Sequence, residues 1–245
     1  MKLQFILTKT RKGFSIVEVA VAMGVVTLML TTFLGIYGPA QKNVQRAISS
    51  QDANAMKDQL SNELAVLRTS ETGAFNNSFG KAVDYIINSH EKDAAVLVYR
   101  YRALPEDDLN DTDGILPAYA DKEGIPGRDY IVQTAVRKRG KDDALIDSEL
   151  SPLSVDGPVF VVRMTQLISG NSASDLILNG DVDVLKDPDD GTPIATADEY
   201  EDAVIAFRAE FFRLPSNLAG YVQGGDWQFE DLGKAVVETN IAIRR

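Results

Sequence analysis

From Phe14 to Tyr37 the chain runs for 24 residues with one charged side chain among them, Glu18. That run is the first constraint on the fold, because about 20 residues of α-helix, rising 1.5 Å each, suffice to cross the hydrocarbon of a bilayer. The carboxylate near its start is the anomaly. An acidic side chain inside a membrane helix costs on the order of 1–3 kcal/mol, depending on depth. A plain anchor has no use for one.

Residues 1–13 contain Lys2, Lys9, Arg11 and Lys12 and no acid. The whole chain carries −11, so removing those four positive charges leaves the remainder at −15. A domain that acidic does not seek nucleic-acid backbones or anionic membrane surfaces through bulk charge, and no nucleic-acid partner is expected. It attracts cations, or basic patches on a partner. There is no cysteine, which excludes disulfides, thiolate metal sites, a cysteine nucleophile and a lipidated cysteine.

Three readings compete for the first forty residues. A secretory signal would explain the basic start and the small residues Gly38 and Ala40, but its apolar core is typically ~7–15 residues long and carries no carboxylate. A signal anchor, oriented by the four basic residues on the cytoplasmic side, accounts for topology and leaves Glu18 unexplained. The third reading is a resemblance. Gly13-Phe14-Ser15-Ile16-Val17-Glu18-Val19 resembles the GF(S/T)LxE leader of type IV prepilins and type II secretion pseudopilins, and VEVAVAMGVV is closer to the minor pseudopilins.

The resemblance implies a specific processing scheme. A prepilin peptidase would cut after Gly13 and methylate the new amine on Phe14. Glu18 would then be the fifth residue of the mature chain and would pair with the amine of a neighbouring subunit. It further implies a pilin-like α+β fold and a single-pass inner-membrane location, with the head in the periplasm or outside the cell. Partners would be other pilin or pseudopilin subunits and an inner-membrane assembly platform. The function implied is that of a minor pilin or pseudopilin, a structural subunit of a type IV pilus-like or type II secretion filament. The physics agrees: a cationic amine buried among stacked helices needs a counter-charge, buried polar pairs fix axial register, and the helix dipole favours an anion in the first turn. The alternative is an extracytoplasmic binding protein, such as a calcium-dependent adhesin, held by the same helix without polymerising.

Beyond the apolar run the helical period continues. Val44, Ile48, Ala55, Leu60, Leu64 and Leu67 fall near one stripe with polar residues between them, and Gly73 is the expected stop. The resemblance implies a cleaved leader over 1–13 and a membrane and assembly half of the helix over 14–39; the periodicity adds an amphipathic half over 40–72 and a β-rich head over 73–245. Gly35, Gly38 and Pro39 are candidate breaks in the helix.

After Gly73 the period changes to two. Ala94–Arg102, Tyr130–Arg139, Val159–Ile168, Val204–Arg213 and Val236–Ile243 read as strands, and Ser174–Leu178 with Val182–Leu185 as a short hairpin. The only helix expected in this part is a short one near Ala82–Ser89. The predicted fold is a long helix on a mainly antiparallel sheet, with one apolar sheet face packed against the helix.

Sites are sparse. His90, the only histidine, reads as a surface residue, and no GxSxG, HExxH or phosphate-binding loop is present, so no enzyme is expected. Two Asp-rich turns offer hard oxygen ligands for calcium: Asp108, Asn110, Asp111 and Asp113 before Gly114, and Asp187, Asp189 and Asp190 before Gly191. Both also suit ordinary solvated turns. Trp227 reads as a core anchor, the alternative being an aromatic patch with Phe229 that faces a carbohydrate or a partner. Arg100, Arg102, Arg137, Lys138 and Arg139 read as solvated strand faces.

Overall fold

The computed structural model describes residues 15–105, 114–170, 176–194, 196–225 and 227–245. The chain divides into a unit ending at Ala47 and a second, Ile48–Arg245. Helix α1, Ile16–Ala65, contributes residues to both.

In the first unit, every described side chain from Ser15 to Ala47 is exposed. The hydroxyls of Thr27, Thr31 and Thr32 donate to the carbonyls four residues earlier, at 2.7–2.8 Å. Threonines bonded in this way present no unsatisfied polar group to apolar surroundings. Helical backbone runs through Gly35, Gly38 and Pro39, where the sequence offered breaks. Proline at 39 lacks the N–H that would serve the carbonyl of residue 35, four positions earlier, and that residue is a glycine.

In the second unit the buried face of α1 is Ser49, Ala53, Met56, Leu60, Glu63 and Leu64. This corrects the expected stripe. Val44 and Ile48 are 58% and 55% exposed, and Ala55 is also exposed because it lies about 200° around the helix from Ala53. The α-helix stops at Ala65, well before Gly73, and a 3-10 turn follows at Thr69–Glu71.

The strands are β1 (Val96–Ala103), β2 (Ile131–Lys138), β3 (Phe160–Ser169), β4 (Leu176–Leu178), β5 (Leu185–Lys186), β6 (Pro193–Ile194), β7 (Val204–Arg213) and β8 (Val237–Arg244). The main sheet is ordered β2-β1-β3-β7-β8 and is antiparallel throughout, with β4 added to β3. The long helix on an antiparallel sheet makes this an α+β fold, as its sequence predicts. The five main strands were legible as strands. The small hairpin was not: β4 pairs with β3, and β5 pairs with β6.

Both faces of the sheet are covered, a second departure from expectation. On one face α1 and α2 (Ser78–Asn88) pack on Val96, Val98, Phe160, Val162, Met164, Phe207 and Phe211. On the other, α3 (Asp143–Glu149) and α4 (Ala219–Gly224), with Trp227 and Phe229, cover Leu97, Tyr99, Tyr101, Val161 and Phe212. Strand alternation therefore separates two apolar sets, one for each layer. Trp227 is buried as expected, its indole N–H donating to the Val222 carbonyl at 3.1 Å. Helix α4 ends on Gly225, whose φ of +72° is left-handed and where a Cβ would fall 2.2 Å from Lys92 Cε.

Candidate assembly site

The residues singled out in the N-terminal motif divide at the edge of the described chain. Gly13 and Phe14 lie outside it. Ser15 and Glu18 lie within it, and their geometry adds something the sequence reading missed. Ile16 is the first helical residue, so Ser15 is the N-cap and Glu18 the third helical position. Ser15 Oγ accepts the Val17 N–H at 3.3 Å, and the Ser15 N–H donates to Glu18 Oε2 at 3.5 Å. Both contacts are long, and Ser15 Oγ takes the second helical N–H where a capping box uses the third, so together they form a loose variant of that box. The S-x-x-E spacing was the available signal. Glu18 thus has a local use, holding the first turn of α1, independent of any partner. Its side chain is exposed.

α1 is the one helix among the described residues long and apolar enough to cross a membrane. Phe33 and Tyr37 stack at 5.5 Å, and Gln41 Nε2 donates to the Tyr37 hydroxyl at 2.7 Å, marking where polar groups resume.

Within the second unit, the end of α1 is fixed by charge. Lys81 of α2 is fully buried, and its ammonium donates to Glu63 Oε1 at 2.7 Å, Glu71 Oε2 at 2.7 Å and the Val66 carbonyl at 3.1 Å. All three donors are used. Arg68 pairs with the far oxygen of Glu63, and Lys141 donates to Glu71 Oε1 at 2.6 Å. The signs alternate along Arg68, Glu63, Lys81, Glu71 and Lys141, so each buried carboxylate sits between two cations. Burial pushes the Glu71 carboxyl up, but hydrogen bonds from Lys141, Lys81 and the Arg68 N–H outweigh it and leave it below its ordinary value. At the other end of the buried stretch, Arg213 donates to Ser49 Oγ at 2.8 Å and Arg100 to Asp52 at 3.2 Å.

These contacts correct the expectation of solvated basic strand faces. Arg100 reaches α1. Arg137 is buried in a two-pronged pair with Glu149 of α3, at 2.6 and 3.1 Å, and the Tyr99 hydroxyl donates to the same carboxylate at 2.6 Å. Lys138 pairs with Asp84, and Arg139 donates to the Lys92 and Gln223 carbonyls at 2.7 and 2.6 Å. Arg102 lies 5.1 Å from the Tyr130 ring centre. An acidic helix end and a second covering layer gave these cations partners that strand periodicity alone does not show.

His90 is half-buried, and its placement has a structural reason. β1 opposes β3 only from Phe160 to Val162, and β4 opposes it only from Leu167 to Ser169. In the gap, the Met164 N–H donates to Ser89 Oγ at 2.8 Å, and His90 Nε2 lies 2.8 Å from the Met164 carbonyl. A carbonyl only accepts, which places the proton on Nε2. Burial holds the imidazole below its ordinary value, against the opposing effect of the Met164 bond.

Of the Asp-rich turns, Asp108, Asn110, Asp111 and Asp113 lie outside the described residues. Asp187 Oδ1 accepts the Asp189 and Asp190 N–H groups at 2.8 and 3.4 Å, and Asp190 Oδ1 accepts the Thr192 N–H at 2.9 Å. These are the self-bonded turns that Asp favours. Among the described residues, no group of three or more His, Asp or Glu side chains could hold a metal ion.

No protein-family model, curated protein or solved structure matches the chain.

Proposed function

We propose that the chain is a structural subunit of an envelope filament, a minor pilin or pseudopilin, assembled through α1 after cleavage behind Gly13. The observation that carries this reading is an apolar helix with every described side chain exposed from Ser15 to Ala47, directly following the Gly13-Phe14 junction and beginning with Glu18 in its first turn. Such a surface needs either lipid or other helices, and a membrane-inserted subunit that later packs into a filament meets both in turn. On this reading a prepilin peptidase processes the chain and an inner-membrane platform assembles it with other subunits. The head lies in the periplasm or outside the cell. The work is mechanical and asks no catalysis of the chain.

N-terminal mass spectrometry of the mature protein tests the reading. A chain beginning at methylated Phe14 is expected; one beginning at Gln41 or Met1 would overturn it. The capping contact of Glu18 favours a second reading, in which the carboxylate only starts the helix and the head is a tethered binding protein that does not polymerise.

A further inference from the structure

The head carries an apolar ledge beside an acidic groove, a combination that the packing of the fold does not use. All three residues of β4 are apolar, yet Leu176, Ile177 and Leu178 are 53%, 47% and 43% exposed, and among the described residues the strand is bonded on one edge only, to β3. Apolar side chains gathered at an exposed strand mark a contact surface more often than chance. Sharing Leu178 with the ledge is a groove of about 650 Å³, lined also by Arg163, Thr165, Asp183, Glu210 and Glu230.

The charge in this groove is one-sided. Arg163 is already committed: it donates to Glu210 at 2.9 Å and lies 5.1 and 5.6 Å from the ring centres of Phe212 and Phe229. His90, which also borders the groove, has its imidazole pKa lowered by burial. Asp183 and Glu230 are exposed and form no ion pair among the described residues. The groove therefore presents two unpaired carboxylates next to leucines. A second copy of the chain would set acid against acid, and an anionic lipid surface or a nucleic acid would be repelled in the same way.

We propose that this groove and ledge dock a polypeptide segment of another protein, one carrying a basic side chain beside apolar ones. Its basic group lies between Asp183 and Glu230, and its apolar residues cover Leu176 and Leu178. The assignment stands apart from the filament reading, since a tethered binding protein would use the same surface.

The test uses the full chain in detergent and two fluorescent synthetic peptides, one alternating leucine with arginine, the other leucine with glutamate. Saturable anisotropy is expected for the arginine peptide alone, weakening as salt is raised. Leu178→Asp, and separately the double variant Asp183→Lys/Glu230→Lys, should each weaken it at least about ten-fold, equivalent to ~1.4 kcal/mol. Leu218→Ser, at an exposed leucine outside both ledge and groove, should leave it unchanged. Thermal midpoints establish that the variants fold. Absence of saturable binding to the wild-type chain, equal binding of the glutamate peptide, or indifference to the charge reversal would each overturn the proposal, and the first two need no variant. Self-association abolished by Leu178→Asp would overturn it in favour of a second copy.

Discussion

Lys81 and Glu63 meet at 2.7 Å with the lysine fully buried, joining α2 to the last turns of α1. Burying an ammonium is favourable only when its partners are complete. Here they are complete, because Glu71 and the Val66 carbonyl take the other two protons.

Lys81→Met should therefore leave each of two buried carboxylates with one cation in place of two, Glu63 with Arg68 and Glu71 with Lys141. A loss of about 3–5 kcal/mol of head stability is expected, the usual cost of removing one partner of a buried pair. Denaturant titration of the full chain in detergent, followed by Trp227 fluorescence, measures it. An unchanged midpoint would show that the cluster does not hold the helix end.

Stability should fall toward acid in two steps. His90 has a folded pKa below 6.5, so the unfolded chain takes up its proton first. Stability begins to drop as pH falls through 6.5 and levels off below the folded value. Glu71 has a folded pKa below 4.5; its contribution is fully present above 4.5 and is lost as pH falls through the folded value. His90→Gln should remove the upper step and spare the lower. Melting midpoints from pH 8 to pH 3 would show one step where two are expected if either assignment fails.

Ser89→Ala should leave the buried Met164 N–H without its acceptor. The expected cost is about 1–3 kcal/mol, that of an orphaned buried donor. Hydrogen exchange should accelerate at the Met164 amide while amides of β7 keep their protection. Uniform acceleration, or none, would contradict the role of Ser89 at the open edge of β3.

Glu18 separates the two functional readings through a pair of variants. Glutamine can still serve the third position of a capping box but carries no charge, whereas alanine does neither. On the filament reading both Glu18→Gln and Glu18→Ala are cleaved behind Gly13, and neither enters filaments. Normal incorporation of Glu18→Gln would reduce the carboxylate to a helix cap.

The sequence was legible where one periodicity ruled. The five long strands declare themselves because Val, Ile, Tyr and Phe alternate between two buried layers, and the helix declares itself through Leu60 and Leu64. Where two demands overlapped, the signal failed. Ile146 and Leu150 have the spacing of a helix face, but only seven residues of α3 surround them, too few to show a period. The partner of β4 is not legible, because three apolar residues carry no register. Arg137 reads as solvated because nothing local to it announces Glu149, brought near only by tertiary packing. The cap at Ser15 is carried by the S-x-x-E spacing alone.

The buried stretch of α1 is fastened at both extremities, by Ser49 and Asp52 to the arginines of β7 and β1, and by Glu63 to Lys81. Ser49 and Glu63 are separated by about 21 Å of helix. A tensile load along that axis meets both fasteners together and tries to slide the helix across the sheet; it cannot peel one tie before engaging the next. The mechanical strength of the joint is then that of its ties in parallel. Rupture under axial pull should demand far more force than lifting the same helix sideways from either end.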